Sequence, residues 1–420
     1  MPLPGSEQRD AAAGKHPRAR TGWRDATLFT TDFPPHVGGI AEYHAGLFRQ
    51  AATEGTVAVH STIPGADEGV FPVHLLPAPP QRKLGERFGD GLAPVRRLNT
   101  LAHFAALRRY ARRTLAPVLA RLDDRSRIFV GVWNPLAHFW CETLAAAGRP
   151  YALFAHGLDV IEPLYGTIAP WREGDYRHAA RVVSCSTGTA EMAVQRLGLD
   201  ATRMRVVHPG IDMHGYAGPG EDTVESLRAA LGVEGAPIAL SVGRLVRRKG
   251  FDVALRAFAA YCAGGGTARY IVAGDGPERG ALEALANELG VRQHVRFLGA
   301  VDEATKRALY ALCDVFVMPN TLLNNLDWEG FGIVFLEAAR AGKPSLGGNN
   351  GGVPDAVADG VTGLLVDPGD ARAVSAALTS LLSDEALRSR LGAAARERAA
   401  ARFDWSAVGE QFRAVLAEAW

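Results

Sequence analysis

Short continuous apolar runs, each followed by a longer stretch with helical periodicity, recur from residue 26 to residue 368. In the first half they are ATLFTTDF (26–33), TVAVHST (56–62), RIFVGVW (127–133), YALFAHG (151–157) and RVVSCST (181–187). In the second half they are PIALSVGRL (237–245), RYIVAGDG (269–276), VRFLG (295–299), VFVMPN (315–320), KPSLGG (343–348) and LLVDP (364–368). Few alternate apolar with polar residues. A strand that is apolar at every position is buried on both faces, as in a parallel sheet covered by helices. Strand and helix in alternation therefore predict an α/β fold of βαβ units. Each half carries enough strands for its own sheet, and 420 residues suffice for two domains.

The segment HPGIDMHGYAGPGEDTVE (208–225) is rich in Gly and acidic residues and lacks a core pattern. It reads as a linker, with the boundary between 215 and 230. The expected division is a disordered tail over 1–22, one domain over 23–215, a second over 230–400, and a C-terminal helix over 401–420 returning to the first domain. The tail has no apolar core of the kind a secretory signal needs, and no run is long enough to span a membrane.

Charge is balanced, with 46 Lys+Arg against 45 Asp+Glu. That disfavours nucleic-acid binding by bulk charge. Cys141, Cys185, Cys262 and Cys313 lie far apart in apolar surroundings, so buried thiols in a reducing compartment are expected, without a disulfide framework or zinc site. One stretch departs from the balance. Residues 82–113 hold Arg82, Lys83, Arg87, Arg96, Arg97, Arg108, Arg109, Arg112 and Arg113 against Glu86 and Asp90, with Leu98, Leu101, Ala105 and Leu107 available for an apolar side. A solvated helix face is the first reading. Attachment to an anionic membrane, or capture of an anionic acceptor, is the functional one.

The motif WEGFGIVFLEAARAGKPSLGGNNGGVPDAVADGVTGLLVDP (328–368) concentrates the chemistry. Gly330, Phe331 and Gly332 open a helix whose free N–H groups and positive dipole end suit an anion. Glu337 lies about 7–8 Å further along that helix at 1.5 Å per residue, where its carboxylate can accept two hydroxyl bonds, as from a ribose. Glu329, before the helix, can do the same for a sugar. The glycine-rich turn GGNNGGVPDAV (347–357) lets backbone groups approach a ligand at a strand end. In SVGRLVRRKG (241–250), Arg244 and Lys249 follow a strand and suit a diphosphate. The glycines of AGDGPERG (273–280) miss dinucleotide spacing, so Gly274 and Gly276 are read as a tight turn beside a nucleotide. In the first half, Gly38 and Gly39 open a helix after the first strand, and His156 is expected exposed at the end of another, with Asp159 near. No D-x-D pair occurs, which fits charge neutralisation by Arg244 and Lys249 rather than by a metal.

These residues, in this order, resemble the retaining GT-B glycosyltransferases of glycosyltransferase family 4: GGI (38–40), HGLD (156–159), HPGID (208–212), VGRLVRRKG (242–250), AGDGPE (273–278) and EGFGIVFLE (329–337). The stretch GFGIVFLEAARAGKPSLGGNNGGVPDAV is most similar to the phosphatidylinositol mannosyltransferase branch. The resemblance implies a GT-B fold of two facing Rossmann-like domains. It implies transfer of a hexose from GDP-mannose or a UDP-sugar to a hydroxyl acceptor, lipid-linked in that branch, on the cytoplasmic side of the membrane. The donor is a substrate, and no cofactor or metal is implied. Arg244 and Lys249 would grip the diphosphate, Glu337 the ribose and Glu329 a sugar hydroxyl beside Gly330, Phe331 and Gly332. His156 would meet the sugar from the opposite domain. Gly38 and Gly39 would approach the diphosphate, and Leu298, within 297–300, would border the base. NTLLNNLDW (320–328) is longer than the shortest family versions. The competing readings are a GT-B nucleotide-sugar epimerase or phosphorylase, and a non-catalytic nucleotide-sugar-binding protein.

Overall fold

The computed structural model describes residues 23–36, 38–65, 69–81, 93–161, 168–215, 217–322 and 328–420. The expected disordered tail, Arg82, Lys83, Arg87 and most of the segment before Glu329 lie outside them.

Two parallel sheets organise the chain. The first contains β1 (Asp25–Thr30), β2 (Thr56–Ser61), β3 (Val73–Leu75), β4 (Ser126–Val130), β5 (Ala152–Ala155), β6 (Arg181–Ser184) and β7 (Met204–Val206), in the order β3-β2-β1-β4-β5-β6-β7. The second contains β8 (Ile238–Val242), β9 (Arg269–Ala273), β10 (Val295–Gly299), β11 (Val315–Met318), β12 (Ser345–Gly348) and β13 (Gly363–Val366), in the order β10-β9-β8-β11-β12-β13. Every strand pair is parallel. The apolar runs behave as expected: β4, β5, β8 and β11 are buried at every position.

In each sheet the strand order reverses beside a central strand, between β1 and β4 and between β8 and β11. Loops leaving the carboxyl ends of such neighbours diverge to opposite faces and open a crevice, the usual ligand position in open α/β sheets. The two-domain Rossmann-like architecture predicted from the sequence is thus present.

The linker is shorter than predicted. A helix, Glu221–Leu231, begins inside the stretch read as structureless; Gly220 precedes it and Glu221 and Asp222 occupy its first turn. The acidic composition that suggested a linker is the composition that suits a helix start.

The chain crosses between domains twice, side by side. Ile211 on the outward path donates its N–H to the carbonyl of Phe403 on the return, at 2.7 Å. Asp404 accepts from Met213 N at 3.1 Å and also caps the next helix through Ser406 N at 2.9 Å. That helix, Trp405–Ala417, lies on the helix Gly39–Ala51 of the first domain, with Phe412 5.5 Å from Phe48 and 5.4 Å from Phe129. Beyond it, Glu418 sits between Arg181 and Arg205, each 2.5 Å away. The returning helix is part of the first domain's core.

Of the thiols, Cys141, Cys185 and Cys313 are buried, whereas Cys262 is partly exposed, against the expectation of four buried groups. All four are free.

Candidate active site

The second domain supplies a carboxylate held by cations. Lys249 ends the short turn Arg247–Lys249 after β8 and is only 9% exposed. Its Nζ lies 2.7 Å from Glu329 Oε2, and Arg248 Nε stands 4.0 Å from the same oxygen. Asn320, wholly buried two residues past β11, donates its Nδ2 to that oxygen at 3.2 Å. Asn350, in the glycine-rich turn after β12, donates to the carbonyl of Asn320 at 2.6 Å. Three strand ends thus converge on Glu329. Around it, Asn320 Oδ1, Asn350 Oδ1 and Trp328 Nε1 are buried with no hydrogen-bond partner among the described residues. Such atoms cost about 1–3 kcal/mol each when unmet, and their clustering marks a place prepared for a polar ligand. Arg244 is exposed and makes no ion pair among the described residues.

Gly332 caps the helix Ile333–Arg340 with φ +89°, a backbone that a side chain would strain. Glu337 lies inside this helix with both oxygens engaged: Lys306 Nζ at 2.6 Å and Tyr310 OH at 2.9 Å. Burial draws the Lys306 ammonium down, but the carboxylates of Glu337 and Glu303 outweigh it, and the pKa is raised. Lys306 and Tyr310 sit one turn apart on the helix Glu303–Leu312. Gly274 and Gly276 pass against the loop carrying Arg244, because a Cβ on either would strike the backbone of Gly243 or Leu245. Leu298 is half-buried in β10.

The first domain meets this arrangement at close range. Gly38 is exposed in extended backbone ahead of the helix Gly39–Ala51. A Cβ on Gly39 would come 3.2 Å from Ile333 Cδ1, so the helix starts of both domains face each other. A Cβ on Gly330 would collide with the carbonyl oxygen of His156. Cys185 Sγ reaches the Gly330 carbonyl at 3.5 Å, and Thr187 N donates to Asp355 Oδ2 at 2.5 Å.

His156 departs from expectation. Sequence position suggested an exposed ring, yet it is only 9% exposed, and its Nε2 lies 3.2 Å from Nε2 of the fully buried His44. Burial lowers the pKa of each to about 3, helped at His44 by His156 itself. The neighbouring Asp159 is not a ligand candidate. Its carboxylate accepts from the N–H groups of His156 and Gly157, both at 2.9 Å, and from Tyr176 OH at 3.1 Å. Burial pushes its pKa up to about 6. His44, Lys306 and Tyr310 were missed in the sequence, while Asn320 and Asn350 lay in the segments 320–328 and 347–357 singled out there but received no role of their own. Lys306 and Tyr310 carried a clue in their four-residue spacing on a helix.

The basic stretch also differs in detail. Within the helix Ala93–Leu119, Leu107, Tyr110, Ala111 and Leu115 are buried, but Leu101, assigned to the apolar side, is 65% exposed, and Ala105 is exposed too. Arg108 pairs with Glu142 at 2.8 Å, while Arg109, Arg112 and Arg113 are exposed.

Two facing Rossmann-like domains, with charged side chains and helix starts gathered at their junction, define the GT-B class of fold. Residues 56–214 match the model for Glycosyltransferase Family 4, and residues 223–398 that for Glycosyl transferases group 1. The GDP-mannose-dependent alpha-(1-6)-phosphatidylinositol monomannoside mannosyltransferase of Mycobacterium tuberculosis is 36% identical over 391 residues, covering 91% of this chain and 95% of that protein. Among solved structures, Anabaena HepE in complex with UDP and glucose superposes with a TM-score of 0.70 at 21% identity, over 93% of this chain and 99% of that one. Sucrose-phosphate synthase from Thermosynechococcus elongatus gives a TM-score of 0.71 at 23% identity, covering 93% and 98%. The chain belongs to glycosyltransferase family 4, and it is a hexosyltransferase.

Proposed function

We propose that this enzyme moves a hexose, with retention at the anomeric carbon, from a nucleoside-diphosphate sugar to a hydroxyl of a lipid-linked or other cell-envelope glycan. GDP-mannose is the first donor to test and a UDP-sugar the second. The observation that carries the reading is the cluster of Lys249, Glu329, Asn320 and Asn350 at the ends of β8, β11 and β12, with buried polar atoms around it that no described residue meets. The names of the mannosyltransferase relatives favour mannose and a phosphatidylinositol-type acceptor. The exposed Arg109, Arg112 and Arg113 favour peripheral contact with an anionic membrane, and no described helix is long and apolar enough to cross one.

In this reading the diphosphate lies against Arg244 and Lys249, with the N-termini of the helices Gly39–Ala51 and Ile333–Arg340 directed at it. As the bond from the anomeric carbon to the phosphate oxygen breaks, negative charge grows on the departing oxygen and positive charge on the sugar ring. The cations and helix starts stabilise the first. Glu329 takes a sugar hydroxyl, and the neutral His156 takes another from the opposite domain. The acceptor hydroxyl attacks the face the phosphate leaves and gives its proton to it. Glu337 holds the ribose hydroxyls, with Lys306 and Tyr310 fixing its carboxylate. Closure of the domains excludes water.

The test is transfer of labelled hexose from GDP-mannose and UDP-sugars to lipid acceptors, with the anomeric configuration read by NMR. Arg244→Ala and Lys249→Ala are each expected to lose about 10²–10³ in kcat. Near-normal transfer by both would sink the assignment.

A further inference from the structure

We infer that His44 is a positioning residue for the transfer reaction: it holds His156 in the Nε2–H tautomer, leaving Nδ1 as the ring nitrogen that accepts from a donor-sugar hydroxyl. The inference rests on the role given to His156 above.

A chain of donors and acceptors links the main chain after β1 to His156. His44 Nδ1 lies 3.2 Å from the backbone carbonyl of Asp32. A carbonyl oxygen only accepts, so Nδ1 of His44 carries the hydrogen. In a neutral ring the other nitrogen is then bare. Nε2 of His44 faces Nε2 of His156 at 3.2 Å, so the hydrogen between them belongs to His156. The opposite assignment would set two lone pairs face to face. Burial keeps both rings neutral near pH 7, which rules out a doubly protonated member.

The rings are also confined. Phe154 stands 4.8 Å from His44 and stacks on His156 at 5.9 Å, while Tyr43 meets His156 edge-on at 5.7 Å. Gly131 closes the far side, where a Cβ would come 3.0 Å from His44 Cε1. No described residue hydrogen-bonds Nδ1 of His156. Which nitrogen of a histidine can act on a ligand is set by the bond its other nitrogen makes. Here that bond comes from a second histidine, itself fixed by the main chain after β1.

Nitrogen-15 histidine NMR of the whole protein at neutral pH reads the tautomer directly. The His156 resonance is identified by its loss in His156→Ala. A protonated Nε2 with a bare Nδ1 is expected; the reverse tautomer, or a charged ring, overturns the inference. Two variants test the consequence. His44→Leu cannot accept the Nε2 hydrogen and should lose about 10²-fold in kcat, as for a misplaced reacting group, with little change in donor KM. His44→Gln offers a carbonyl oxygen near the same place and should recover most of the loss. Equal losses in both variants would mean packing alone, and unchanged kcat in both would mean no role; either overturns the inference. Should a variant fold poorly by thermal melting, the wild-type spectrum still decides. Full transfer by His156→Ala would instead sink the role assigned to His156, whereas an inactive His156→Ala beside an unaffected His44→Leu sinks only the inference about His44.

Discussion

Glu337 and Glu329 are two carboxylates eight positions apart, and their surroundings give them different work. Glu337 keeps one oxygen on an ammonium and one on a phenol, so it is oriented before any ligand arrives. Tyr310→Phe should remove a hydrogen bond to a charged group, a loss of about 1.5–3 kcal/mol in urea unfolding, and raise the donor KM. An unchanged unfolding midpoint would show that Tyr310 OH contributes nothing there. Glu329 shares a nearly dry site with Lys249. A buried pair adds little net stability, but breaking it leaves an uncompensated charge. Lys249→Ala should therefore destabilise by about 3 kcal/mol as well as slow transfer. The Lys249→Ala, Glu329→Gln double variant should recover part of the stability and none of the activity. At this scale the sequence was readable where chemistry follows residue type: Lys249, Glu329 and Gly330 converge. It misled at His156, because burial there depends on His44, and nothing local to HGLD announces a partner in a helix after β1.

Elements were legible in proportion to their burial. Strands apolar throughout, such as β5 and β11, follow directly from pattern. Strands β3 and β7 escaped because Val73–Leu75 and Met204–Val206 are three residues long, lie at one or the other edge of the sheet, and contain His74 or Arg205. The helix Glu221–Leu231 escaped because its stripe is short, with Val224, Leu227 and Leu231 only partly buried against the core, and the Gly-rich and acidic residues before it dominate the pattern. The last helix was legible as amphipathic, and its destination has an energetic consequence. The Trp405 ring fills space that Gly46 and Gly210 leave open, since a Cβ on either would strike it. Trp405→Ala should cost about 3 kcal/mol, the low end for losing a packed aromatic. Gly46→Ala should cost about 1–3 kcal/mol by overpacking. Thermal melting measures both; a Trp405→Ala protein as stable as the wild type would show that the helix docks without this contact.

For the molecule as a whole, buried histidines set the response to acid. Burial lowers His44 and His156 to about 3 and His60 to about 4. Unfolded histidines titrate near 6.5, so below that pH the unfolded chain takes up protons that the native rings refuse. The stability they provide is whole above about pH 6.5 and drains away as the pH falls towards 4 and 3. Asp159, pushed up to about 6, acts in the opposite sense: its contribution is whole below about pH 3.9 and is lost as the pH rises through 6. Asp175, also raised by burial, acts in the same sense as Asp159. Three rings outweigh two carboxyls, so Tm should fall between pH 7 and pH 5, and His60→Gln should make the slope shallower. A Tm that holds level across that interval would contradict the balance.

The paired crossings also bear on how the molecule is made. The helix Gly39–Ala51 emerges early from the ribosome, yet the surface that covers it, Trp405–Ala417, is synthesised only after the entire second domain. Domains usually mature in the order of synthesis. Here the first must wait, with an apolar flank bare, and the second has every element of its own sheet while the first is still incomplete. Expressed without the last helix, the first half should reach the cell as a client for chaperones rather than as a free-standing domain.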